Sequence, residues 1–347
     1  MNTNHESYLA PFFKEMNIVF NTKWCVLHSY ENLPYYSESD VDMAFSGTDI
    51  RTLELLIKKV ADSTGWVLLQ KLWYDVQNCY YYVLRNIETD TLLAIDFLID
   101  NDAIGKYGFT TKTLTTDCTV INDCFPIPNS EVAFCYKLIK SIVKRRSVEK
   151  DEQYLRETYK KADKDAVNTI LDNQLGSKGK ELILRYLTDK NASLTKTDIT
   201  LLYQMRKETL NSLKKGTKYR FWELKRGLNR FFYPSGMVLS VPNLDEEELK
   251  ELTIKLIEKV DIIFRFVKIS SQSSTKMRLK GFAGSTLVVC PSNKSNLKST
   301  WSKNVPISIV LYKDAQGKDI DSLANTYYET IISTLADRMT KRMPNGH

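Results

Sequence analysis

The sequence predicts three consecutive domains of different class: α+β over residues 1–128, all-α over residues 129–232, and a small α/β domain over residues 233–347. Three observations carry this prediction. Period-two alternation of apolar and polar residues recurs through the first third. From Asn129 the apolar spacing turns to three and four, and stays so until Phe232. Beyond Tyr233-Pro234-Ser235-Gly236, short apolar runs alternate with amphipathic stretches, as strands crossing over to helices do. Charge divides along similar lines, with net −9 over residues 1–136, +12 over 137–230 and +4 over 231–347.

A length of 347 residues with 43 % hydrophobic content supports more than one packed core and excludes a disordered chain. The six cysteines (Cys25, Cys79, Cys118, Cys124, Cys135 and Cys290) have no CxxC spacing and sit mostly in apolar contexts, so reduced thiols are expected rather than disulfides or zinc. Three histidines, His5, His28 and His347, are too few for histidine-rich metal chemistry. Neither a basic-then-apolar leader nor a long uninterrupted apolar run is present, so a cytoplasmic protein without a membrane span is expected.

In the first domain, Leu9, Phe12, Phe13, Met16 and Phe20 predict a helix over residues 7–20. The apolar run Trp24 to Leu27 then leads into a polar turn around Pro34. Asp40 and Asp42 next alternate with Val41, Met43 and Phe45, which places both carboxylates on one face of a strand. A helix over Ile50 to Ser63 and strands over Trp66–Trp73, Cys79–Leu84 and Thr91–Ile99 complete the domain. Tyr80, Tyr81 and Tyr82 fit either a base-stacking platform or a half-buried strand. In the middle domain, Ser130 is the expected cap of a first helix, and helices follow over residues 151–161, 166–173, 178–187, 197–213 and 218–232, with Gly176, Gly179 and Gly216 as breaks. The last domain is expected to hold strands over 237–241, 261–269, 285–290 and 305–312, and helices over 245–260 and 321–342.

Three acidic residues stand out chemically. Asp40 and Asp42 crowd one strand face, and Asp96 interrupts the apolar run Thr91 to Ile99. Like charges at such spacing repel, and a lone carboxylate among apolar neighbours is costly. A hard divalent cation held by all three relieves both penalties. Asp100 and Asp102, which follow in a loop, are expected to be solvated.

At these residues the first domain resembles the nucleotidyltransferase superfamily of the polymerase-beta type. That family carries a strand, a small-residue turn, Asp-x-Asp on the next strand and a third acidic residue on a later one. Here Ser29, the pair Asp40 and Asp42, and Asp96 match those places. The phrase Leu27-His28-Ser29-Tyr30-Glu31-Asn32-Leu33-Pro34 is similar to the Arg-Gly-Tyr-Glu-x-Leu-Pro of a bacterial subgroup, in which such a domain is joined through helices to a thymidylate-kinase-like domain. The resemblance implies a nucleotidyltransferase fold and Asp40, Asp42 and Asp96 as catalytic residues holding Mg²⁺ (or Mn²⁺). It also implies a nucleoside triphosphate such as ATP as substrate, with Ser29 and the adjacent His28 at its phosphates.

The chain departs from that pattern in two places. The glycine beside the turn serine is absent. In the last domain, Pro242-Asn243-Leu244-Asp245-Glu246-Glu247 stands where the glycine-rich phosphate loop and its lysine belong, and an acidic run repels phosphate. A degenerate P-loop without kinase activity is therefore expected there.

The basic middle domain offers a surface for an anionic acceptor, either RNA or a phosphorylated small molecule. Lys218, Arg220, Lys225, Arg226 and Arg230, interleaved with Tyr219, Phe221 and Trp222, form the candidate acceptor patch. Three functions compete: a Mg²⁺-dependent nucleotidyltransferase acting on a hydroxyl of a sugar, lipid, RNA or protein; a nucleotide-sensing or partner-binding scaffold that has lost turnover; and a defence or toxin effector that modifies RNA or protein. The sequence leaves the oligomeric state open.

Overall fold

A computed structural model of the chain describes residues 4–47, 49–73, 78–99, 108–148, 151–189, 191–211, 221, 224–229, 236–242, 244–264, 266–269, 286–292, 308–309 and 319–342. It is a mixed α/β protein. The elements are α1 (Glu6–Phe20), β1 (Trp24–Val26), β2 (Val41–Phe45), α2 (Ile50–Ser63), β3 (Trp66–Trp73), β4 (Cys79–Asn86) and β5 (Leu92–Ile99). There follow α3 (Thr111–Thr115), β6 (Thr119–Ile121), β7 (Phe125–Ile127), α4 (Ser130–Lys144), α5 (Glu152–Lys161), α6 (Lys164–Thr188) and α7 (Lys196–Asn211). The last are β8 (Met237–Pro242), α8 (Glu246–Val260), β9 (Phe266–Ile269), β10 (Thr286–Ser292), β11 (Ser308–Ile309) and α9 (Ile320–Arg342).

Strands β1 to β5 form one sheet in the order β1-β2-β5-β4-β3, with antiparallel pairing of β1 to β2 and of β3 to β4. Its register is set by buried residues, such as Trp24 opposite Phe45 and Val26 opposite Met43. The chain clusters into two compact units: Met1–Leu56, Asp75–Cys79 and Asp96–Trp222 in the first, Ile57–Tyr74, Tyr80–Ile95 and Glu223–His347 in the second. Residues of the expected domains 1–128 and 129–232 thus share the first unit.

In the first unit, α1 lays an aromatic face on the strands: Phe13 stacks on Trp24 and meets Phe125, Phe12 meets Phe97, and Phe20 meets Phe45. Helix α4 is the hub of the helical part. Phe134, Cys135, Leu138, Ile139 and Ile142 are all fully buried, in one core with Leu171 and Ile183 of α6 and Leu202 of α7. Its N-terminus corrects the expectation from the sequence. Asn129, not Ser130, is the cap, its side-chain oxygen accepting from the Val132 N–H at 2.9 Å, while the Ser130 hydroxyl turns to Glu131. Helices expected over 166–173 and 178–187 are one element, α6, broken at Gly176 (φ 70°, ψ 169°).

In the second unit, β8 to β11 make a parallel sheet in the order β11-β8-β10-β9. Met237, Leu239 and Val241 of β8 are buried with Leu249, Leu252 and Leu256 of α8, Tyr327, Ile331 and Leu335 of α9, and Leu69 and Val83 of β3 and β4. Arg85 forms ion pairs with Asp90 and with Glu329 (2.8 Å), and the Tyr328 hydroxyl donates to Asp90 at 2.7 Å. Tyr82 is fully buried, which removes it as a base-stacking residue, and Tyr81 donates to the Ile262 carbonyl at 3.3 Å. The strand expected over 261–269 begins only at Phe266, after α8 runs on into a turn. No helix among the described residues is long and apolar enough to cross a membrane.

Candidate functional site

The site is built on two neighbouring strands of the five-stranded sheet. In β2, Val41 and Met43 point into the core at 2 % and 0 % exposure, so the pleat turns Asp42 to the opposite face. Asp40 lies one residue before β2 begins and keeps the same parity. In β5, the neighbour of β2, Ile95 and Phe97 are fully buried and Asp96 between them takes the other face. The result is a cluster in which one carboxylate oxygen from each of Asp40, Asp42 and Asp96 lies within 4.8 Å of the others.

His28 and Ser29 reach the same place from the turn after β1. The Leu27 N–H donates to the Asp42 carbonyl at 2.9 Å, which ties the start of that turn to β2. His28 Nε2 then lies 2.7 Å from Asp42 Oδ2, and His28 Nδ1 is 3.1 Å from Ser29 Oγ. Ser29 adopts φ 55°, the left-handed region that glycine enters most easily. The backbone conformation that a glycine favours is therefore present in the turn although no glycine is.

The sequence did not reveal a further participant. Lys140 of α4 places Nζ 3.1 Å from Asp42 Oδ2 and also contacts His28 Nε2. Tyr136, one turn earlier, stacks on His28 with ring centroids 6.5 Å apart. Lys144, one turn later, completes a row at four-residue spacing along one helix face. That spacing was legible, but nothing local distinguishes Lys140 from Lys137, which pairs with Asp151 at 2.9 Å instead. Cys79 at the start of β4 was missed too; its thiol donates to Asp96 Oδ1 at 3.1 Å.

The electrostatics separate the three carboxyls. Burial raises the pKa of Asp96 first, the Asp42 charge adds to it, the Cys79 hydrogen bond opposes it, and the outcome is about 7. Asp40 is raised by the same two causes, burial and then Asp42. For Asp42, burial works against ionisation, yet the hydrogen bond and charge of His28 together with Lys140 outweigh it and hold the carboxyl well below its ordinary value. Lys144 is lowered by burial and by the nearby Lys140.

A divalent cation fits this donor set. The ligands are all carboxylate oxygens, the type hard cations take, and the raised pKa values of Asp40 and Asp96 are the penalty that a cation would relieve. The candidate acceptor patch stands apart. Lys218, Arg220 and Arg230 lie outside the described residues, as do Asp100 and Asp102. Lys225 is exposed and Arg226 half-exposed on a helical stretch over residues 224–229, in the second unit.

No protein-family model and no curated protein matches the chain. Among solved structures, JHP933 from Helicobacter pylori aligns over 64 % of this chain and 96 % of its own, at 14 % identity and a TM-score of 0.30. A likeness at that level carries no argument about fold or function.

Proposed function

We propose that the chain is a Mg²⁺-dependent nucleotidyltransferase that moves a nucleoside monophosphate group from a triphosphate to a hydroxyl of an acceptor. The observation that carries this reading is the convergence of Asp40 and Asp42, at β2, with Asp96 of β5. Asp40, Asp42 and Asp96 would hold the metal, whose contribution when bound is to offset the charge of the phosphates and of the departing pyrophosphate.

The chain's own residues divide the remaining work. Asp96, on the strand beside the aspartate pair, would accept the acceptor hydroxyl's proton once a cation offsets the burial that otherwise raises its pKa. Lys140 and Lys144 supply positive charge beside the carboxylates, where a triphosphate needs it. Ser29 Oγ offers a hydrogen bond from the same turn, and His28 links that turn to Asp42.

In the second unit, β8 leads directly into α8 within a parallel sheet, the strand-to-helix setting of a phosphate loop. There Asp245 caps α8, accepting from the N–H groups of Glu247 and Glu248, and Glu246, Glu247 and Glu248 fill the first turn. Carboxylates occupy the donors and the positive dipole end that phosphate would need. This supports a kinase-like remnant without kinase activity.

One observation favours a second reading, a partner-binding scaffold without turnover. Lys140 and His28 already partner Asp42 from within the chain. The test is incubation with each labelled nucleoside triphosphate, Mg²⁺ and a cell extract as the source of acceptor. The transferase reading expects label transfer and pyrophosphate release that disappear in Asp40→Ala/Asp42→Ala. Release undiminished in that variant sinks it, and nucleotide binding without release in any extract selects the scaffold.

A further inference from the structure

A pair of thiols lies at the base of the site turn. Cys25, in β1 opposite Ala44 of β2, is completely buried, and Cys118, between α3 and β6, is half-buried. Both thiols donate to the Leu114 carbonyl oxygen, at 3.2 Å and 3.5 Å, which brings the two sulfurs to one place. Neither is in a disulfide. Thiols far apart in sequence that converge on one acceptor, one of them partly exposed, are neighbours on which a bridge can close.

We propose that Cys25 and Cys118 form a peroxide-responsive modification site, oxidised to a disulfide that ties β1 to the corner between α3 and β6. Cys118 is the residue that reacts first. It is the accessible member, and the neighbouring Cys25 thiol holds it below the ordinary cysteine value, whereas burial pushes Cys25 up. The Cys118 thiolate attacks one peroxide oxygen; an S–O bond forms, the O–O bond breaks, and hydroxide leaves. The Cys25 sulfur then attacks the sulfenic sulfur; the S–S bond forms, the S–O bond breaks, and the Cys25 proton leaves with the hydroxide as water. Two thiols and one peroxide give one disulfide and two waters. A small dithiol reverses the change by exchange. The bridge falls two residues before Leu27, whose N–H holds the Asp42 carbonyl, so it fixes the strand from which His28 and Ser29 depart. This inference stands on the thiol geometry alone, whatever the aspartate site does.

The experiment treats the reduced full chain with a small excess of hydrogen peroxide, blocks remaining thiols with N-ethylmaleimide and maps the unreduced digest by mass spectrometry. A cross-linked peptide joining Cys25 to Cys118 is expected, with the thiol count of the denatured chain falling by two from its six and restored by dithiothreitol. Cys118→Ser should abolish the cross-link, and Cys124→Ser, at another half-buried cysteine, should retain it. In Cys25→Ala, Cys118 should accumulate as a sulfenic acid that dimedone traps. A different pairing, or oxidation of Cys118 beyond recovery by dithiothreitol while Cys25 remains a free thiol, overturns the proposal.

Discussion

Asp96 is the residue on which physical cost and chemical use meet. Its folded pKa of about 7 lies above the roughly 3.9 of an unfolded aspartate. The native state therefore holds a proton across that interval that the unfolded chain has lost, and stability declines as pH rises from about 4 through about 7. Asp42 has the opposite sign: its depressed pKa stabilises the fold above the ordinary carboxylate range and loses that contribution as pH falls below it. Comparison of wild type with Asp96→Asn between pH 5 and 8 isolates the first effect. In the absence of divalent cations, urea denaturation should find Asp96→Asn more stable at pH 8 by about 2–4 kcal/mol, at roughly 1.4 kcal/mol per pKa unit, with the gap closing toward pH 5. A gap that does not change with pH would mean that Asp96 is not held protonated.

Lys140 answers a different question at the same scale, since it partners Asp42 alongside His28. Lys140→Met keeps the stem and removes the charge, leaving Asp42 with the His28 contact. A largely buried carboxylate losing one of two partners should cost about 1–3 kcal/mol of stability in urea. If the site also binds triphosphate, the same variant should raise the nucleotide KM more than it lowers kcat. Unchanged stability and unchanged KM would reduce the Lys140–Asp42 contact to an ordinary ion pair like that of Lys137 with Asp151.

Among the elements, those whose period runs long enough were legible to the residue. Ile50 to Ser63 and Trp66 to Trp73 were expected over the bounds they take as α2 and β3, because a dozen residues of helical spacing and a largely apolar run of strand length each stand out. Helix α3 and strands β6 and β7, at five, three and three residues, were invisible, since so short a segment repeats its period too few times to stand out. Gly176 was expected as a break and is one, but the element continues beyond it: its φ and ψ belong to a region that residues with a Cβ rarely enter, and a Cβ there would meet Thr209 Oγ1 at 3.2 Å. Gly176→Ala should destabilise the first unit by about 1–3 kcal/mol, read as a lower urea midpoint with unchanged slope. An equal midpoint would show that the break in α6 relaxes without cost.

At the scale of the whole molecule, what the sequence withheld is what only tertiary structure decides. Three aspartates were legible because a carboxylate among apolar or like-charged neighbours is anomalous wherever it falls. Lys140 and Cys79 were not, because a lysine on a helix and a cysteine at a strand end are ordinary until the fold brings them to Asp42 and Asp96. The placement of β3 and β4 residues in the core of the second unit was hidden for the same reason: Leu69 and Val83 read as strand residues of the first domain, and only the packed chain assigns them to α8 and α9.

The central claim is that Asp40, Asp42 and Asp96 together bind a divalent cation. Titration of the full chain with Mn²⁺ at pH 8, with free Mn²⁺ followed by electron paramagnetic resonance, tests it most directly. Wild type should bind Mn²⁺, and Asp40→Asn/Asp42→Asn and Asp96→Asn should each weaken that binding at least about tenfold, or roughly 1.4 kcal/mol. Equal affinity and stoichiometry in wild type and both variants would contradict the account.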